Sequence, residues 1–146
     1  MENCLACMEQ QGQAPIPGGI CYEDDLVFAK HIYNNDGPTY LGYALAQTKR
    51  HAPSFEDLTD AEAQAIGLLV ARLSWALRAC IGAEHIYLFK MGHHMSHLHV
   101  HVVGRYPGAP QEYWGVHVDE WPDAPHGGAA EIAALAERLR AYLSGG

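Results

Sequence analysis

Basic residues are scarce in this chain. Nine Lys plus Arg stand against seventeen Asp plus Glu over 146 residues, a formal net charge of -8. Polyanions are bound through many Lys and Arg contacts to phosphates. No Lys or Arg lies between Arg105 and Arg138, a stretch that holds Glu112, Asp119, Glu120, Asp123, Glu131 and Glu137. No nucleic-acid partner is therefore expected, although one small phosphate can still be held by backbone amides and a few imidazoles. Long apolar runs are missing too. The longest, Ala65 to Ala71, contains Gly67 and closes at Arg72, so no membrane span and no membrane partner are expected. Met1-Glu2-Asn3-Cys4 lacks the basic and apolar regions of a secretory signal, which points to a soluble cytoplasmic protein. Four cysteines are too few for a disulfide framework. Cys21 and Cys80 stand alone and read as small buried apolar residues.

A packed core is expected, because hydrophobic residues make up 49% and charged residues 18% of the chain. The length predicts one domain over residues 1–146. Ile20-Cys21-Tyr22 and Leu26 to Ala29 read as short strands around the acidic turn Glu23-Asp24-Asp25, and Tyr40 to Thr48 reads as another. Asn34-Asn35-Asp36-Gly37-Pro38 between them has turn chemistry. Thr59-Asp60-Ala61-Glu62 is a capping box. Ile66, Leu69, Val70, Leu73 and Leu77 follow it at helical spacing, up to Gly82. Strands are predicted at His85 to Phe89 and Ser96 to Val103, an irregular segment at Tyr106 to Gly128, and a last amphipathic helix at Ala129 to Leu143. Strands interleaved with two helices, without regular βαβ units, predict an antiparallel α+β fold.

Histidine is abundant: ten residues, five of them at His93, His94, His97, His99 and His101. His97-Leu98-His99-Val100-His101-Val102-Val103 alternates strictly, so as a strand it sets its imidazoles on one face and Leu98, Val100 and Val102 on the core side. Imidazoles in such a row can meet one phosphate or one metal ion, and they rarely make a core. Cys4-x-x-Cys7 is compatible with half of a zinc site or with free thiols. A redox motif would open a helix after a strand, which an extreme N-terminus does not offer.

The run at 97–103 matches in full the signature of the histidine triad (HIT) superfamily, His-φ-His-φ-His-φ-φ with φ apolar. Cys4-Leu5-Ala6-Cys7 resembles the family's zinc-binding start, Tyr22-Glu23-Asp24-Asp25 its first hairpin, and Lys49-Arg50-His51 with Ser54 the strand end before its long helix. Val103-Gly104-Arg105-Tyr106 resembles the bacterial continuation. The resemblance implies an antiparallel sheet of about five strands with one long central helix and a C-terminal helix. It implies hydrolysis or nucleotidyl transfer at the α-phosphate of a small nucleotide-like molecule, with His99 as nucleophile and a covalent nucleotidyl-histidine intermediate. A free imidazole has a pKa of about 6.5, so an uncharged nucleophile at neutral pH needs no special tuning. His101 would stabilise phosphate charge. One structural zinc per chain, on Cys4, Cys7, His51 and His97, is implied as well, with no metal required for the chemistry. A homodimer is implied by the same resemblance.

Several positions depart from the family pattern. His93 and His94 stand where an amide and a hydroxyl are usual, just before Ser96. His31, in Ala29-Lys30-His31-Ile32, stands where the family has a ribose-binding acid, and Ala6 replaces an aromatic at the base wall. His93, His31, Ile32 and Ser96 are expected to bind substrate. His94 is expected to protonate the leaving group, giving a bell-shaped pH profile whose alkaline limb flattens in His94→Ser. Tyr113, Trp114 and Trp121 form either a packed surface loop or a dimer contact or lid. Two other functions fit the same residues: a non-catalytic zinc-stabilised module that binds a nucleotide or a partner, and a triad enzyme diverted to non-nucleotide chemistry.

Overall fold

A computed structural model describes residues 4–91 and 97–145 of the chain, and its longest element is set by chemistry at both ends. Helix α2 (Asp60–Ile81) begins where Thr59 Oγ1 accepts from the Glu62 amide at 3.1 Å and the Glu62 carboxylate accepts from the Thr59 amide at 2.9 Å. Gly82, at φ 68°, closes it in the left-handed conformation that glycine adopts without steric cost. Arg50 donates to both oxygens of Glu62, at 2.8 and 2.9 Å. The guanidinium holds the Glu62 carboxyl down at about 2. A depressed carboxylate contributes stability above its unfolded pKa of about 4.3, and that contribution fades as pH falls from there toward 2. Thr59→Ala is expected to lower the unfolding free energy by about 1 kcal/mol in urea titrations. An unchanged midpoint would show that the cap contributes nothing.

The sheet has strand order β1-β2-β4-β6-β5 and is antiparallel throughout, from β1 (Tyr22–Glu23), β2 (Val27–His31), β4 (Tyr43–Thr48), β5 (His85–Phe89) and β6 (His99–Arg105). Alternation along each strand divides its two faces. Val27, Ala29, Ala44, Ala46, Val100 and Val102 meet the α2 stripe of Ile66, Leu69, Leu73, Ala76 and Leu77. Leu135, Leu139 and Leu143 of helix α3 (Ala129–Gly145) complete that core. The opposite face carries Phe28, Lys30, Tyr43, Leu45, Gln47, His99 and His101. By length and composition alone α2 is apolar enough to cross a bilayer; here its apolar stripe is buried against the sheet.

Several boundaries differ from expectation. Strand β6 starts at His99 rather than Ser96. The strand expected over Tyr40 to Thr48 is interrupted at Gly42, whose φ is 105°. Thr39–Tyr40 (β3) leaves the main sheet to pair with His126–Gly127 (β7), and β4 begins at Tyr43. The N-terminal segment forms a short helix, α1 (Leu5–Gln10), with Cys4 Sγ accepting from the Cys7 amide at 3.4 Å at its start. The 106–128 segment runs through short 3-10 turns, Gln111–Tyr113 and Gly115–Glu120. It packs Val118, Trp121 and Ala124 against Tyr40 and Val103. Trp114 lies under the Arg105 guanidinium, 3.9 Å from the ring centroid. These contacts fit a packed surface loop.

Candidate active site and metal cluster

Three separate pieces of chain meet at the first cluster. The start of α1 supplies Cys4 and Cys7, the β4–α2 connection supplies His51, and the residue two before β6 supplies His97. All four ligand atoms lie within 4.8 Å of one another. Cys4 Sγ is 3.3 Å and Cys7 Sγ 3.5 Å from His97 Nδ1, Cys7 Sγ is 3.4 Å from His51 Nδ1, and the two Nδ1 atoms are 3.2 Å apart. A tetrahedral zinc with ordinary bond lengths sets S···N near 3.6 Å and N···N near 3.3 Å. The spacing therefore fits zinc. The donor chemistry agrees: His97 Nε2–H donates to the Thr48 carbonyl at 2.6 Å, which leaves the Nδ1 lone pair toward the cluster. Burial lowers the His97 pKa, which favours the uncharged ring. Burial, then the adjoining Cys4, pushes the Cys7 thiol up, and a dication among the sulfurs reverses that by stabilising thiolate. His51 is placed by its neighbour, since Arg50 clamps onto Glu62 and its carbonyl accepts from Thr48 Oγ1 at 2.9 Å.

Two residues along the chain, His99 Nδ1 lies 2.8 Å from the His97 carbonyl oxygen. A carbonyl only accepts, so Nδ1 carries the proton and Nε2 presents a lone pair. The group that fixes this tautomer thus belongs to the backbone of the cluster residue His97. His101 lies on the same face, with its ring centroid 4.9 Å from that of His99. Its Nδ1 is 2.6 Å from the Tyr43 hydroxyl. Burial, with a smaller contribution from neighbouring His99, lowers His101 to about 4. Burial, helped by the Asp119 carboxylate, raises Tyr43 to about 12. The pair is neutral at physiological pH. An imidazole with a free lone pair beside a second neutral imidazole can attack an electrophilic phosphorus and hydrogen-bond its oxygens.

The structure brings Cys4, Cys7, His51 and His97 together, and sets His99 and His101 side by side just beyond them. It does not bring His31 to them. His31 pairs with Ala44 in the sheet and so faces α2, the side opposite His99. It is 1% exposed, with Nδ1–H donating to the Ile32 carbonyl at 2.7 Å and Nε2 accepting from the Gly42 and Tyr43 amides at 2.9 and 3.2 Å. Burial drives it down to about 4. The expectation that His31 binds substrate is therefore corrected: one residue of strand parity turns it into a tie between β2 and the β3–β4 turn. Ile32 follows it, half-buried, its amide donating to the Tyr43 carbonyl at 3.0 Å. His93, His94 and Ser96 lie outside the described residues. Ala6 and Phe28 are fully buried against each other, and the Lys30–Glu9 ion pair sits beneath the same helix. Helix α1 thus covers the β2 side of the histidine face.

Two residues of the site escaped the sequence reading. Tyr43 becomes visible only through the β4–β6 register. Gln47, directly opposite His99, is fully buried, and neither of its amide atoms has a partner among the described residues. Its alternation with Leu45 and Tyr43 was readable, but not which face that alternation would join.

The family profile of the HIT domain matches residues 13–108. A search of curated proteins finds no match. Among solved structures, this fold is similar to a hypothetical histidine triad nucleotide-binding protein from Sulfolobus tokodaii at 18% identity, covering 97% of this chain and 93% of that one, with a TM-score of 0.73. A Zn-bound histidine triad family protein from Mycobacterium smegmatis is similar at 20% identity, 99% and 97% coverage, and a TM-score of 0.73. A Plasmodium falciparum diadenosine triphosphate hydrolase is similar at 14% identity, 86% and 76% coverage, and a TM-score of 0.62. With its alternating histidine strand, its five-stranded antiparallel sheet and a profile match over most of its length, the chain belongs to the HIT domain family.

Proposed function

We propose that this protein is a hydrolase or nucleotidyl transferase that cleaves at the α-phosphate of a small nucleotide-like substrate. The observation that carries this reading is the His99 tautomer, which turns the Nε2 lone pair away from the His97 carbonyl. In the first step that lone pair forms an N–P bond while the bond to the leaving group breaks, and the leaving group departs with the electron pair. In the second, a water oxygen attacks phosphorus, the N–P electrons return to Nε2, and the water releases a proton. His101 donates to the phosphate oxygens in both. Splitting one displacement into two is the advantage of a covalent nucleophile. Zinc, when bound by Cys4, Cys7, His51 and His97, would hold the N-terminal segment to the catalytic strand and take no part in the displacement.

Phosphate chemistry supports this reading more strongly than nucleoside recognition does. His31 is turned away, and the wall around Phe28 is filled by Ala6. A triad enzyme acting on a non-nucleotide phosphate is the second reading, favoured by those two observations. A cytoplasmic homodimer belongs to the proposal too: among the described residues β5 is an edge strand of the sheet, and Leu88 on it is exposed. The test is incubation with a panel of adenylated, guanylated and non-nucleotide phosphoramidates and anhydrides, followed by mass spectrometry under non-acidic denaturation. The expected result is a phosphorus-linked adduct mapping to His99. Turnover with the adduct on another residue, or no turnover on any compound, would overturn the proposal.

A further inference from the structure

We propose that Tyr43 is a positioning residue whose hydroxyl donates to His101 Nδ1 and so fixes His101 as the tautomer that offers Nε2–H to a bound phosphate. The inference rests on the reading above only for the identity of the ligand. Tyr43 opens β4 opposite Val103, so His101 is its diagonal cross-strand neighbour, a separation that an aromatic side chain spans. The rings meet edge to face, centroids 5.6 Å apart, with the hydroxyl 2.6 Å from Nδ1.

A neutral imidazole has one donor and one acceptor, and whatever occupies one nitrogen decides what the other can do. Were Nδ1 to carry the proton, Nε2 would present a lone pair to an anionic oxygen and repel it. With the hydroxyl donating, Nε2 presents N–H. His99 has the reverse arrangement, because its Nδ1 partner is a carbonyl. Two adjacent imidazoles are thereby given different tasks by two different partners: a lone pair on one, a proton on the other. The charged and titratable groups around the pair are His99 on β6 and Asp119 in the 115–120 turn. Burial leaves both members of the pair neutral, so the choice between them is one of tautomer.

The test uses full-length protein, as purified, labelled with ¹⁵N-histidine, and reads the ring-nitrogen shifts at neutral pH without any substrate. Wild type is expected to show His101 as the Nε2–H tautomer and His99 as the Nδ1–H tautomer. Tyr43→Phe, which keeps the ring and removes only the hydroxyl, is expected to turn His101 into a mixture. On any phosphate that wild type turns over, Tyr43→Phe should lower kcat by about 10- to 100-fold, the range seen when a partner that orients a ligand is lost, with KM changed less than about twofold. A wild-type His101 carrying its proton on Nδ1 would overturn the inference even if the variant failed to fold. So would a Tyr43→Phe spectrum with His101 unchanged. Absence of turnover by wild type would count against the proposed function alone, because the tautomer is read without it.

Discussion

His99→Ala is expected to lower turnover by at least about 10⁴-fold while leaving the fold and the metal content unchanged. General acids and bases contribute about 10² to 10⁴. A covalent nucleophile removes the whole pathway, and what remains is catalysis by the rest of the site. His99 is half-buried and its ring is bonded to a backbone carbonyl rather than to a cluster ligand atom, so alanine should cost little stability. His99→Asn keeps a polar side chain and should be equally inactive. The measurement is single-turnover kinetics on a substrate identified with wild type, alongside thermal unfolding. Retention of more than about a tenth of wild-type activity would remove His99 from the mechanism.

One zinc per chain is the second large expectation. Elemental analysis of protein purified without added metal should give a ratio near one, and Cys7→Ser or His51→Ala should abolish it. Structural zinc contributes about 10–16 kcal/mol of apparent binding energy in small peptides that are unfolded without it. This chain keeps an independent core between α2, α3 and the sheet, so the loss should be smaller, about 3 kcal/mol, with a melting point lower by about 10 °C. What it should release is α1. Without metal that helix is held by the Ala6–Phe28 contact, the Lys30–Glu9 ion pair and a hydrogen bond from Gln10 to the Lys49 carbonyl at 3.1 Å. Cys4 and Cys7 should then react freely with a thiol reagent. Protein free of zinc, with both thiols titratable at the native rate, would show that these four side chains hold no metal.

Much of the site is local, which is why it could be read from the chain. Alternation over 97–103 assigns Val100 and Val102 to the core and His99 and His101 to the other face, because strand periodicity is a property of the backbone. The capping box at Thr59 and the glycine at 82 bound α2 for the same reason: each acts within a turn of itself. His97 shows the limit of that logic. It shares the alternation but precedes β6, and its ring turns to Cys4 and Thr48.

What tertiary structure alone decided is parity and partnership between distant segments. His31 and Ile32 differ by one position, and the pairing of His31 with Ala44 sends the imidazole to the α2 face. His31 shares the parity of Val27 and Ala29, which are buried in the core beside α2, and because every residue of β2 is buried its own pattern does not say which face that is. Tyr43 reaches His101 from 58 positions away, and it does so because Gly42 ends one short pairing and lets β4 begin where it does. Local chemistry in the sequence determined which side chains can attack a phosphorus or bind a metal. Register, which depends on the whole buried face, decided which of them share a side of the sheet and set the Tyr43 hydroxyl against His101.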